Sequence, residues 1–365
     1  MSKLHPRAEK PRPLPTDRLP PQVSVFISCY NYGRFLADSV HSVLSQGGVR
    51  VNVVIIDDAS TDGSQDIAAA LAAADPRVSL IAHERNHGHL ATFNEGLGLL
   101  TGTYAVKLDA DDMLTPGSLS RAAALAEHHP TVGFVYGFPA QFRTIPTPRA
   151  RTEARRWLIW RGDEWIARMC HRGHNTIMQP EVLMRTETLR RVGEYNTDLP
   201  HSHDMELWLR FATVSDIGWV GGADQGFYRI HPDSMQRTVN AGLMIDLQGR
   251  RDAYESVLTG AGKEIPDAAD LLRTARRKLA SEALDHACRT FDDAEFADQS
   301  VDAYVDFAID TFPEARQTRA WASLERRRWM AADPPARRAL ARAASEAARD
   351  MEGRIRWRRW RWSGV

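Results

Sequence analysis

Between residues 23 and 136 the chain alternates five times between a short apolar run and a stretch with helical periodicity. The runs are Val23–Ser28, Val51–Ile56, Val78–Ala82, Tyr104–Leu108 and Val132–Tyr136. They are rich in β-branched residues and show little alternation, as expected of parallel strands buried on both faces. Between them, Leu36, Val40, Val43 and Leu44, then Ile67 and Leu71, then Leu90, Phe93, Leu97 and Leu100 mark the apolar faces of helices. Asp75-Pro76 and Gly102 are stop signals, and Thr115-Pro116 opens a helix that runs to about His128. Such alternation predicts an α/β chain with a doubly wound, Rossmann-like sheet.

Three of the runs end in polar clusters, Ser28–Asn31, Asp57–Ser60 and Asp109–Asp112. Open α/β sheets bind ligands outside the carboxyl ends of their strands, so the three clusters are expected in one crevice. Asp109, Asp111 and Asp112 are costly neighbours unless a cation joins them. A few carboxylates with room left for phosphates suit Mg²⁺ or Mn²⁺ beside a nucleotide. A phosphoacceptor receiver domain also carries such acids, but there the pair follows the first strand. Here the first strand ends in Ser28-Cys29-Tyr30-Asn31. That reading also leaves the second half of the chain unexplained.

Beyond residue 140 the pattern loosens. Arg155–Trp160 and Trp165-Ile166 suggest amphipathic helical pieces, Val182–Arg185 a short strand and Thr186–Val192 a helical turn. His203–Phe211 reads as a helix with acids in its first turn, and Asp216–Val220 and Gly226–Ile230 as two further strands. From about 238 to 350 the signals are helical. The chain has 365 residues, 43% of them hydrophobic, enough to bury a core. Lys+Arg and Asp+Glu both number 47, which offers no general attraction to nucleic acid. Cys29, Cys170 and Cys288 match no zinc or redox spacing and read as isolated thiols in a reducing compartment. No apolar stretch is long enough to span a bilayer, and the proline- and charge-rich start lacks the apolar region of a signal peptide. These features predict a cytoplasmic protein. The final Arg354–Trp362 run holds five Arg, three Trp and no acid. This composition suits peripheral anchoring at an anionic membrane face.

Val23-Ser24-Val25 through Tyr30-Asn31, Ile55–Ser64 and Leu108–Asp112 together resemble the family 2 glycosyltransferases. The likeness continues through Arg191–Tyr195, His203–Arg210 and Tyr228–Ser234 and covers about residues 22–237. The resemblance implies a GT-A fold, a nucleotide-sugar donor and a divalent cation, Mg²⁺ or Mn²⁺. It implies that Ser28, Tyr30, Asn31, Asp57 and Asp58 line the nucleoside, with Asp109 by the ribose or base. Asp111, Asp112 and His231 would hold the metal or approach the diphosphate, the choice between the two acids being open. Asp204 would be the general base for the acceptor hydroxyl, so that transfer inverts the anomeric centre.

The chain departs from the family at His203, where relatives often carry an acid, and at Phe93, where many carry Arg before Asn94. His87 and His89 read as solvated loop residues, and Trp157, Trp160 and Trp165 as packing residues. The expected organisation is a disordered lead-in (1–21), a transferase domain (22–237), a helical region (238–352) and a basic tail (353–365). The transferase domain divides into a donor half (22–137) and an acceptor half (138–237). The expected activity is transfer to a glycan or lipid-linked acceptor in surface polysaccharide or glycoconjugate synthesis. The alternative is a non-catalytic nucleotide-binding or scaffolding protein on a degenerate transferase fold.

Overall fold

The computed structural model describes residues 5–145, 147–232, 234, 242–292, 298–330, 347, 351, 353–355, 357–358 and 360–365. Asp233, the expected boundary near 237, most of 331–352, Arg356 and Arg359 lie outside them. The described residues form two compact units. One comprises 1–165, 176–234 and 364; the other comprises 166–175, 235–363 and 365. Ile166–Asn175 belongs to the second unit. Its backbone carbonyls at Met169 and Gly173 accept from the Tyr254 hydroxyl at 2.6 Å and the Arg250 guanidinium at 2.7 Å.

The first unit is built on a ten-stranded mixed sheet. Its strands are β1 (Arg7–Glu9), β2 (Gln22–Cys29), β3 (Arg50–Asp57), β4 (Val78–Ala82), β5 (Tyr104–Asp109), β6 (Met113–Leu114), β7 (Val132–Phe142), β8 (Arg156–Trp160), β9 (Leu183–Arg185) and β10 (Asp216–Arg229). They lie in the order β1-β8-β10-β7-β9-β5-β2-β3-β4, with β6 paired to β10. The chain runs outward from β2 through β3 to β4, then returns to place β5 on the other side of β2. The reversal makes the carboxyl ends of β2 and β5 a topological switch point. Helices α1 (Gly33–Leu44), α2 (Ser64–Ala74), α3 (His89–Gly98) and α4 (Ser118–His128) make the crossovers. The main core joins Val25, Ile27, Val53, Ile55 and Val106 from the sheet to Leu36, Val40 and Leu125 from the helices. Helix α3 sits hard against β2 because it presents Gly96 there. A Cβ at that position would lie 2.5 Å from the Phe26 ring.

Four expectations change. Arg7–Glu9, inside the segment expected to be disordered, forms a strand whose Ala8 pairs with Leu158 of β8. Arg156–Trp160 is a strand rather than a helical piece. Trp157, Leu158, Ile159 and Trp160 are all buried, so both faces are covered and no alternation marks the strand. The two late strands are one, β10, with register irregularities between Trp219 and Gly226 that look like a break in sequence. His89 opens α3, with its ring 5.6 Å from those of both Phe93 and His203.

After α5 (Gly162–Arg172) and α6 (Thr186–Val192), helix α7 (His203–Val214) closes the first unit's chemistry. Its acids Asp204 and Glu206 lie in the first turn, where the helix dipole favours them. Met205, Leu207, Trp208, Leu209 and Phe211 bury its apolar side. Arg210 holds Glu206 through Nε at 2.9 Å to each carboxylate oxygen, and caps the carbonyls of Val192 and Glu194.

The second unit is helical, with α8 (Leu243–Thr259), α9 (Ala268–Asp292), α10 (Val301–Thr311), a short 3-10 turn (Pro313–Gln317) and α11 (Arg319–Met330). Among the described residues no helix is long and apolar enough to cross a membrane. The three cysteines are buried free thiols.

The Arg210–Glu206 pair carries a stability prediction. Both groups are largely removed from water, at 14% and 3% side-chain exposure. Replacing Arg210 by Met strands a buried carboxylate, which costs about 3 kcal/mol. A urea titration should show a lower midpoint with an unchanged slope.

Candidate active site

Register alone brings the strand-end clusters together. In the parallel ladders of β2, Ser28 sits opposite Asp109 and Cys29 opposite Asp57. Ser28 Oγ donates to Asp109 Oδ1 at 3.3 Å. Asn31 is left-handed (φ 58°), and its side-chain oxygen accepts the Thr61 amide at 2.8 Å, while its own amide donates to Ser60 Oγ at 2.9 Å. The loops after β2 and β3 are therefore stitched together. Asp57 is fully buried and accepts the Ser60 amide at 3.0 Å. Tyr30 projects outward, 49% exposed at the crevice rim.

Asp58 is the hub of the next loop. Its carboxylate accepts the amides of His87 at 2.8 Å and Gly88 at 3.0 Å, and lies 2.8 Å from His83 Nδ1. Burial works to raise its pKa, but the hydrogen bonds from His83 and the two amides outweigh it and hold the carboxyl below its usual value. His83 is pinned on its other side by Glu95, 2.9 Å from Nε2. Asp58, His83 and His87 bring ligand-type atoms within 4.8 Å of one another. Both ring nitrogens of His83 are already committed, so we read the group as a staple for this loop.

The acids after β5 divide by environment. Asp111 Oδ2 lies 2.9 Å from His231 Nε2, while His231 Nδ1 is buried without a partner. Asp112 turns inward instead, accepts the Arg229 amide at 2.8 Å and is 2% exposed. Burial, and then the nearby charges of Asp111 and Asp109, push its carboxyl well above the ordinary range. Arg229 ties the loop to β10, with Nε 2.7 Å from the Asp111 carbonyl. Its guanidinium lies 4.4 Å from the Phe35 ring centroid and 4.5 Å from that of Phe142.

Asp204 arrives from α7. Its Oδ1 accepts the Met205 amide at 2.7 Å, and burial raises its pKa from 3.8. His203 packs its ring 5.2 Å from Tyr195 and 5.9 Å from Phe93. Burial, then the charge of Lys107, drives its pKa down to about 3, so it stays a neutral ring where relatives often have an acid.

Lys107 is the residue the sequence reading missed. It is almost fully buried, with Nζ 2.6 Å from Asp109 Oδ1 and 3.8 Å from the centroid of Phe93. A lysine inside an otherwise apolar strand was the available signal. Phe93 thus supports a cation instead of bearing one.

Asp58 yields a pH prediction. A carboxyl with a depressed folded pKa adds stability above its unfolded value and loses it as pH falls through the folded one. Asp58→Asn should therefore melt below the wild type at pH 7. The gap should close on acidification through and below the unperturbed value of 3.8, as read by thermal melts across pH.

Residues 24–190 match the glycosyl transferase family 2 model. EpsE of Bacillus subtilis (strain 168), named as a glycosyltransferase, is 30% identical over 220 residues, 59% of this chain and 74% of EpsE. ExoO of Rhizobium meliloti (strain 1021), a succinoglycan biosynthesis protein, is 37% identical over 107 residues, 29% of this chain and 30% of ExoO. Among solved structures, the mannosyltransferase PcManGT from Pyrobaculum calidifontis, in complex with GDP-Man and Mn²⁺, aligns with a TM-score of 0.50 at 19% identity. That alignment covers 87% of this chain and 88% of PcManGT, a likeness of fold. The chain belongs to glycosyltransferase family 2 and is a transferase on the GT-A fold.

Proposed function

We propose that this enzyme moves a sugar from a nucleotide-sugar donor to a hydroxyl of a glycan or lipid-linked acceptor, inverting the anomeric centre. The observation that carries the reading is the pairing of two unlike ends. Ser28, Asp109 and the Asp111–His231 contact gather at the switch point, and the raised-pKa Asp204 follows His203, whose ring packs on the Phe93 that carries Lys107. In this reading Tyr30 packs on the base, Asn31, Asp57 and Asp58 shape its pocket, and Ser28 and Asp109 hold the ribose.

A divalent cation fits the residues present. Asp111 Oδ2 and His231 Nε2, 2.9 Å apart, make a mixed O/N donor pair that suits Mn²⁺ or Mg²⁺. Asp111 and His231 would hold it, and the bound ion would neutralise the leaving diphosphate. Asp112, spent on Arg229, serves the loop. On the other face Asp204 takes the proton of the acceptor hydroxyl. The acceptor oxygen bonds to the anomeric carbon as the bond to phosphate breaks and the nucleoside diphosphate leaves. A pKa raised by burial makes Asp204 a better base than a solvated carboxylate.

The likeness to ExoO supports a place in surface polysaccharide or glycoconjugate synthesis, and the C-terminal tail supports work at the cytoplasmic membrane face. Trp357 and Trp362 are 54% and 66% exposed among its arginines, as an interfacial anchor requires.

Three measurements test this reading. With donor and acceptor in hand, Asp204→Asn should lower kcat by about 10²–10⁴ and leave donor affinity intact; near-normal transfer removes Asp204 as base. Asp111→Ala should abolish EDTA-sensitive nucleotide binding, whereas Asp112→Asn should keep that binding; the reverse pattern would exchange their roles. The double substitution Trp357→Ala and Trp362→Ala should reduce sedimentation with phosphatidylserine liposomes, and equal sedimentation ends the anchor idea.

A further inference from the structure

One imidazole in the transferase unit lies between two carboxylates. His83 Nδ1 is 2.8 Å from Asp58 Oδ1, and His83 Nε2 is 2.9 Å from Glu95 Oε2. The His83 side chain is only 6% exposed. An ionised carboxylate accepts and cannot donate, so a ring that hydrogen-bonds to both must carry a proton on each nitrogen. The contacts therefore call for an imidazolium, in the side chain whose charge changes nearest to neutral pH. Sugar transfer itself uses neither His83 nor Glu95.

Three titratable groups face the ring among the described residues. Asp58 comes from the loop after β3, Glu95 from α3, and His87 from the loop before α3, its ring stacked 4.3 Å from that of His83. The same loop wraps Asp58. Asn86 Nδ2 donates to the Asp58 carbonyl at 3.3 Å, and the His83 amide donates to the Asp57 carbonyl at 2.9 Å. Within the Asp58 carboxylate, Oδ1 takes two donors, His83 Nδ1 and the His87 amide, whereas Oδ2 takes one, the Gly88 amide. Each carboxylate oxygen has about two acceptor sites, so Oδ2 keeps one to offer to a nucleobase N–H. The Asp58 side chain is 5% exposed and that of Glu95 38%, so Glu95 is the partner able to turn to water.

We infer that His83 is a positioning residue that acts as an imidazolium, clasping Asp58 to α3 so that the Asp58 carboxylate is aimed at the base, and that nucleotide recognition weakens when this proton is lost. The inference rests on the nucleotide-sugar reading above, in which Asp58 shapes the base pocket. Burial opposes the charge, but the hydrogen bonds to Asp58 and Glu95 and the charges of both outweigh it and raise the His83 pKa above its usual 6.5. With a raised folded pKa, the clasp is complete below 6.5 and is lost as pH rises through the folded value. A neutral ring keeps Nδ1–H on Asp58 and drops Glu95. The hydrogen bond that remains is about half as strong as the charged one.

The test follows the affinity of the full chain for UDP and GDP with Mg²⁺ by calorimetry, from about pH 6 to about pH 9. His83→Asn is the reference, because its amide can place an N–H where Nδ1 sits and does not titrate. Dividing by the reference cancels the titration of the nucleotide itself. The wild type should bind about fivefold more tightly than His83→Asn at the acid end and equally at the alkaline end, with one step above pH 6.5. Glu95→Gln, at the more exposed partner, should move that step to lower pH. A ratio that stays constant with pH, as a purely structural role would give, overturns the inference, and so does a step that Glu95→Gln leaves in place. Ring NMR of the ligand-free wild type reads the same proton without any variant. A His83 ring already neutral below pH 6.5 overturns the clasp. A wild type that binds neither UDP nor GDP overturns the donor-site reading, and the inference with it, even where the ring titrates as expected.

Discussion

Everything in the transferase unit depends on the register of β2 between β3 and β5. Strand side chains alternate between faces, so a slip of one residue would send every group to the wrong side. In the observed register Cys29 faces Asp57 and Ser28 faces Asp109, which brings the ends of three strands to one place. The same ladder buries Val25, Ile27, Val53 and Ile55 in the core. The hydrophobic core and the strand-end cluster are two consequences of one ladder.

Asp58, Asp109, Asp111 and Asp112, which follow neighbouring strands, would repel one another without compensation. The fold compensates each acid differently. Asp58 is met by backbone amides and His83, Asp112 by the Arg229 amide, and Asp109 by Lys107. Among the described residues Asp111 has His231 as its side-chain partner, which leaves it the acid best suited to share an added cation. Asp204 sits at the start of α7, where burial is the largest influence on its pKa and raises it. The same residue type thus serves as loop staple, prospective ligand and prospective base.

Helix α3 links the two ends. Gly96 lets it lie close on Phe26, Asn94 clamps Tyr195, and Phe93 carries Lys107 on its ring. Phe93 looks like a lost cation in sequence, yet the structure has a cation against the same ring, supplied by the neighbouring strand. His203 likewise looks like a lost acid, and in the fold it is a neutral ring holding Tyr195 in place.

The amino-acid sequence by itself determined the strand–helix alternation, the polar clusters at the strand ends and the family motifs. Each of these is a local pattern of period, spacing or composition. It misread Arg156–Trp160 because a strand buried on both faces has no alternation to show, and it divided β10 because irregular register resembles a break. Only the tertiary structure separated Asp111 from Asp112, since both are acids after the same strand and differ in which partner β10 presents to them. Only the tertiary structure placed Lys107 beside Asp109 and clamped the Tyr195 backbone with the Asn94 side chain. Those facts depend on contacts between distant segments, such as Asn94 with Tyr195, that no local pattern encodes.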